Sequence, residues 1–394
     1  MIKKRLQLGL TAVCAAVLLA ACGGGGTDGP GSAAAISRVK VIGDSIADSG
    51  VFQGLPGYGR IFSVGGSSSE PNVVWTERIA AAVGAPALCP VFRFTGTTFV
   101  GNSITGCTSY GVGGGRINNP ASAGGAASPF SILNQMQAAV AGGNYAAGDL
   151  LLMDGGGNDA ADLVGAYLAA AKDGGATYSA LLASQVPAAT LQATLASANG
   201  TALAGGVYMK ALADTFYNGI KTYALDRGAT RIAVLNMPII TLTPRFQYVL
   251  DGIAAASGGG TVGATARAQA EGLFNSWIQA FNAQLAARAA GDSRVVVVDF
   301  YTNFKEQVEN PAQFGLTNAK NTACPPVGVG TDGLPVYNFA TCTATALASD
   351  PRAAAGGALW WERYAFSDGF HPTPYGHQLM SQLVSRSLAQ AGWL

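Results

Sequence analysis

Four short apolar runs punctuate the chain: RVKVIG (38–43), DLLLMDG (149–155), RIAVLNM (231–237) and RVVVVDF (294–300). They are rich in Val, Ile and Leu and lack the alternation of a half-exposed strand, so each reads as a strand buried on both faces. Segments with helical apolar spacing separate them, among them WTERIAAAVG (75–84), PFSILNQMQAAVAGG (129–143) and EGLFNSWIQAFNAQLAARAA (271–290). Strands alternating with helices predict right-handed crossovers and a mostly parallel sheet covered on both sides. The alanine-rich stretch 160–228 predicts about three more helices, an elaboration of one crossover and a candidate cap rather than a separate domain.

In such sheets ligands bind outside the carboxyl ends of the strands. The first run ends there with Gly43-Asp44-Ser45, and the second with DGGGNDA (154–160), which delivers Asn158 and Asp159 to the same edge. Asp and Ser are also the preferred residues at helix N-caps. A serine nucleophile would need more: a base within hydrogen-bond reach, and a third group that orients the base. The protein has two histidines, His371 and His377. In FSDGFHPTPYGHQL (366–379), Asp368 lies three residues before His371 across a glycine-containing turn, so one turn can carry both base and orienting carboxylate. His377 has no such neighbour and reads as a packing residue of the terminal helix. Donors for an oxyanion are available from the Ser45 N–H, the Asn158 side chain and an N–H of the glycine loop in TSYGVGGGRIN (108–118).

Composition narrows the setting. Charged residues make up 11% of the 394, well below the roughly 25% usual for soluble domains. Lys3, Lys4 and Arg5 precede a short apolar stretch, Leu8 to Ala21, as in a secretory signal. Losing them takes 23 basic residues to 20 against 22 acidic, a net charge of about −2. No run of like charge marks a nucleic-acid partner. The expected organisation is a signal over 1–22, a flexible glycine-rich tether over 23–37 and one domain over 38–394. Cys89, Cys107, Cys324 and Cys342 form two pairs of equal spacing, which favours the local disulfides Cys89–Cys107 and Cys324–Cys342 in an oxidising compartment. Without a C-x-x-C pair, and with two histidines, a zinc site is not expected. GVGTDG (328–333) matches the dinucleotide-binding glycine pattern but follows Pro325-Pro326 and opens no helix, so it reads as a loop. No cofactor is called for.

Leu19-Ala20-Ala21-Cys22 resembles the bacterial lipoprotein cleavage box. That resemblance implies export and a lipid anchor on Cys22. Gly23 after it is compatible with the outer membrane or surface of a Gram-negative cell. Gly43-Asp44-Ser45, the glycine loop, Gly156-x-Asn158-Asp159 and Asp368-x-x-His371 resemble, in order, the four blocks of the SGNH or GDSL-type hydrolases, over about residues 38–380. The resemblance implies a flavodoxin-like three-layer α/β/α fold and an esterase, lipase or acyltransferase that needs no metal. It makes Ser45 the nucleophile, His371 the base and Asp368 its orienting acid. Ser45, Gly114 and Asn158 become the oxyanion donors, with Asp44, Gly156 and Asp159 in support. Two blocks depart from the pattern. GDSI replaces GDSL, and Ser109 stands where the second block has Asn, so Gly113 or Gly115 competes with Gly114 as donor. The expected chemistry is acyl transfer to water through an acyl-enzyme on Ser45. The alternatives are an acyltransferase with the same triad, a carbohydrate acetyl esterase, and a surface lipoprotein on an inactive scaffold. Low charge and the aromatic string in LWWERYAF (359–366) lean toward a lipid or short-chain acyl ester.

Overall fold

The computed structural model describes residues 34–55, 59–60, 62–66 and 72–394; the signal segment, Cys22 and the glycine-rich part of the tether lie outside the described residues. Strand β1 (Arg38–Ile42) runs through the Ser45 turn toward helix α1 (Trp75–Ala82), whose first turn is held by Glu77 accepting the Val74 N–H at 2.9 Å. The antiparallel hairpin of β2 (Phe92–Phe94) and β3 (Phe99–Gly101) follows. The chain then passes alongside β1 in parallel: the Val41 N–H donates to Thr108 O at 3.0 Å and the Tyr110 N–H to Val41 O at 2.7 Å. Helix α2 (Ile132–Val140), capped by Ser131, returns it to β4 (Asp149–Met153).

Four helices come next: α3 (Gly157–Asp173), α4 (Ala176–Ala183), α5 (Ala188–Leu195) and α6 (Gly200–Tyr223). Strand β5 (Ile232–Leu235), helices α7 (Pro244–Ala256) and α8 (Gly260–Ala289), strand β6 (Val295–Val298) and helix α9 (Phe300–Glu309) complete the central layers. The rest is smaller: β7 (Asn318–Thr322), the hairpin of β8 (Gly328–Val329) and β9 (Pro335–Val336), α10 (Ala344–Ala348), α11 (Ala353–Gly356) and β10 (Tyr364–Phe366). Helix α12 (Pro374–Gln390) ends the fold.

The central sheet has the order β1-β4-β5-β6 and is parallel throughout, with Ile42 opposite Met153, Met153 opposite Val234 and Val234 opposite Val297. The Thr108–Tyr110 segment occupies the other side of β1. Connections therefore leave β1 in both directions, and the crevice between β1 and β4 is a topological switch point. The side-chain period of two divides the strands cleanly. Val39, Val41, Leu150, Leu152, Ala233 and Leu235 pack on one side against α1, α9 and α12. Ile42, Leu151, Met153, Ile232 and Val234 pack on the other against α2, α3, α6 and α8. The result is the three-layer α/β/α arrangement.

One expectation needs correction. The alanine-rich stretch holds four helices, not about three, because Gly174 and Gly175 both take positive φ (65° and 83°) and cut the run between α3 and α4. Its Tyr178, Leu182, Tyr208, Leu212 and Phe216 are buried in the core beside the sheet. The aromatic string 359–366 packs as core, as aromatic residues near a strand end usually do, and lines no part of the cavity beside Ser45. Trp360, Trp361 and Tyr364 pack around the Cys324–Cys342 disulfide with Val64 and Leu347, and Phe366 joins the core under α12. Tryptophan bulk near a small disulfide loop supplies the apolar contact that the loop lacks by itself. The second disulfide joins Cys89 to Cys107; each bridge closes a loop of 18 residues, worth about 3 kcal/mol. Among the described residues no helix is long and apolar enough to cross a membrane.

Candidate active site

Buried β1 stops at Gly43, and Asp44 caps a single 3-10 turn, Ser45–Ala47, by accepting the Ile46 N–H at 3.2 Å. The cap reading of Asp44 and the nucleophile reading of Ser45 are therefore compatible: the cap holds the turn that presents the serine. Gln135 of α2 accepts the Gly43 N–H at 2.9 Å from one side. Asp48 closes the turn from the other by accepting the Gly50 and Val51 N–H groups at 2.7 and 2.8 Å.

The second part is a turn between β10 and α12. Asp368 accepts the backbone N–H groups of Phe370 (2.8 Å) and His371 (3.0 Å), which folds the turn around its own carboxylate. Both carboxylate oxygens face His371 Nδ1, at 2.9 and 2.8 Å. With Nδ1 engaged, Nε2 meets Ser45 Oγ at 2.9 Å. Ser367 pins the turn by donating to His371 O at 3.0 Å. Phe62 and Phe339 cover the imidazole, with ring centroids 5.1 and 5.7 Å away.

The charges agree with this geometry. Burial disfavours the imidazolium, but the Asp368 charge and hydrogen bond, helped by Asp44, outweigh it and raise His371 above its ordinary value. Burial pushes the Asp368 carboxyl up, yet the His371 charge and the N–H donors hold it below the usual range. His377 behaves otherwise. Burial pushes it down to about 3, so it is neutral, with Nδ1 accepting the Trp75 N–H at 3.4 Å.

Donors converge on the space in front of Ser45 Oγ. The Gly113 N–H is spent on Asp48 Oδ2 at 2.8 Å and the Gly115 N–H on Val112 O at 2.9 Å. Among the described residues the Gly114 N–H has no internal acceptor, and neither has the Ser45 N–H. Gly114 adopts φ 82°, a left-handed conformation that favours glycine. Its carbonyl accepts from Arg116 Nη1 at 2.7 Å, and Arg116 is anchored to Asp162 at 2.6 Å. Asn158, in the first turn of α3, donates through Nδ2 to Gly115 O at 3.0 Å, which leaves its second N–H for a ligand. Asp159 accepts the Ile117 and Asn118 N–H groups at 3.0 and 2.8 Å and so ties the loop to α3. Gly156 caps α3 against Met237.

Sequence reasoning brought Ser45, His371, Asp368, Asn158 and Gly114 together, and the fold places all five around one cavity or directly behind it. It assigned no role to Asp48, Arg116, Phe62, Gln135 or Asp154. Arg116, which follows three glycines, was the readable signal: a lone cation in a neutral loop needs a carboxylate partner. The cavity measures about 200 Å³ and runs from Ser45 and His371 between Leu235, Ile240, Phe300 and Phe304. Two of its polar side chains are also held by neighbouring elements. Asn236 bonds Asp299 and the Tyr301 N–H, and Thr243 bonds Ile240 O.

The sequence model of the GDSL-like Lipase/Acylhydrolase family matches residues 39–384. No protein of curated function matches the chain. The chain belongs to the GDSL-like lipase/acylhydrolase family, and membership implies ester hydrolysis in general.

Proposed function

We propose that this member of the GDSL-like lipase/acylhydrolase family is an exported serine esterase that cleaves short- to medium-chain acyl esters through an acyl-enzyme on Ser45. The observation that carries this reading is the continuous path Ser45 Oγ–His371–Asp368, with contacts of 2.9 and 2.8 Å, opening on two unspent backbone N–H groups. Ser45 attacks the ester carbonyl while His371 takes its proton. Asp368 stabilises the imidazolium, and the N–H groups of Ser45 and Gly114 with the Asn158 amide receive the oxyanion. His371 then protonates the leaving alcohol, and water repeats the sequence on the acyl-enzyme. The acyl group occupies the cavity between Leu235, Ile240, Phe300 and Phe304, four apolar side chains that suit a hydrocarbon chain. A cavity of roughly 150 Å³ accepts benzene, so one of about 200 Å³ suits an acyl chain of roughly six to eight carbons. The signal and Cys22 would anchor the mature protein to a membrane through lipid, and the two disulfides are compatible with export.

Hydrolysis of a p-nitrophenyl ester series from acetate to palmitate tests this reading. The expected result is an optimum at intermediate length and loss of activity in Ser45→Ala. Undiminished activity in that variant would refute Ser45 as nucleophile, and an optimum at palmitate would refute the assignment of the cavity.

A further inference from the structure

Asp154 follows β4 at the switch point and lines the cavity beside Ser45. It is 2% exposed. Its carboxyl lies against the Gly43 Cα so closely that a Cβ there would come within 2.4 Å of Oδ2. Oδ1 accepts the Asp44 N–H at 2.9 Å. Oδ2 finds no N–H donor among the described residues. What the group faces instead is the Asp44 carboxyl, also buried. Two facing acceptors repel, and one shared proton turns them into a donor and an acceptor.

We propose that Asp154 is a positioning residue that stays protonated through the reaction, holding the Asp44 peptide through Oδ1 and donating from Oδ2 to the Asp44 carboxylate. The surroundings choose which carboxyl keeps the proton. Burial and then the Asp44 charge drive Asp154 well above the carboxylate range. Burial also raises Asp44, but the Ile46 N–H, His371, Asp154 and Arg116 each draw it back. The charged groups around the pair are thus His371 with Asp368 behind it, and Arg116 on the glycine loop. Asp44 precedes the nucleophile and its charge raises His371. Unshared, that charge would oppose the oxyanion forming at the next residue and would hold His371 protonated at higher pH. The Asp154 proton moderates both effects. It is not transferred: the Ser45 proton still goes to His371.

The kinetic arm of the test rests on the esterase reading, whereas the spectroscopic arm does not. In the full chain, Asp154→Asn keeps a neutral donor and acceptor and should lower kcat roughly 3-fold. Asp154→Leu removes both and should lower kcat on the order of 10²-fold with KM little moved. It should also shift the acid limb of the rate profile to higher pH. At pH 8, where Asp48 and Asp159 are ionised, the infrared spectrum of the parent protein should contain the carbonyl band of a protonated carboxyl, and Asp154→Asn should remove it. Absence of that band overturns the proposal even if Asp154→Leu fails to fold. So does an Asn variant that melts normally yet loses as much as the Leu variant. If the parent hydrolyses no ester, the esterase reading fails, and the band still decides the proton.

Discussion

Asp368 and Asp154 are both buried aspartates of one site, within reach of the same serine turn, and they differ in what faces the carboxyl. Asp368 receives two backbone N–H groups and an imidazole, three donors and a partner that can become positive. Asp154 receives one N–H and another carboxyl. Burial pushes both upward; the donors reverse its effect on Asp368, and the like charge adds to it on Asp154. Burial by itself therefore does not fix the state of a carboxyl. The count and sign of its neighbours decide, and the two halves of the site use an ionised and a neutral aspartate for different work.

The sharpest way to break this contrast is Asp368→Asn. The amide would present a donor where His371 needs an acceptor and turn the imidazole to the wrong tautomer, so kcat should fall about 10⁴-fold. Combined with Ser45→Ala the loss should be no greater than that of Ser45→Ala alone, because the residues act as one unit. An additive double variant would separate Asp368 from the triad. Next in size is Asn158→Ala, which removes one oxyanion donor and leaves both aspartates intact; kcat should drop by 10²- to 10³-fold, on the order found for single donors. A change confined to KM would assign Asn158 to substrate binding instead.

The smallest effect is on stability. Burial lifts the Asp48 carboxyl to about 6 against the Val51, Gly50 and Gly113 N–H groups, and Asp159 to about 6 in the same way. Both lie above the unfolded value of about 3.9. Between those two pH values the folded state holds more protons than the unfolded one, so stability is fully present below about pH 4 and falls as pH rises through 6. The loss should be on the order of 3 kcal/mol per group. Asp368 has the opposite sign: its contribution is present above about pH 4 and is lost as pH falls below it. Denaturant melts of Asp48→Asn should therefore lose less stability from pH 4 to 7 than the parent protein, and an unchanged slope would remove Asp48 from the list of titrating groups.

The readability of these parts from sequence follows their range. The four sheet strands were visible as apolar runs, since a strand covered on both faces has no polar alternation to conceal it. Asp368 and His371 were visible because one short turn carries both. Asp154 was passed over as the end of a strand, because its partner Asp44 lies 110 residues earlier and the two meet across the β1–β4 crevice. The alanine-rich stretch holds one helix more than its pattern suggests, since alanine helices carry little periodic signal, whereas the aromatic string packs as core, as aromatic residues near a strand end usually do.

What the amino-acid order determined by itself was local: where strands stop, which turn holds His371 with Asp368, and that a serine stands at the carboxyl end of the first strand. Tertiary structure decided that Gly114, and neither Gly113 nor Gly115, keeps an unspent N–H, since Asp48 and Val112 claim the other two from elsewhere in the fold. It also decided which buried carboxyl is charged. Hydrogen-bond partners and dielectric surroundings are properties of packed neighbours, and those neighbours come from distant parts of the chain.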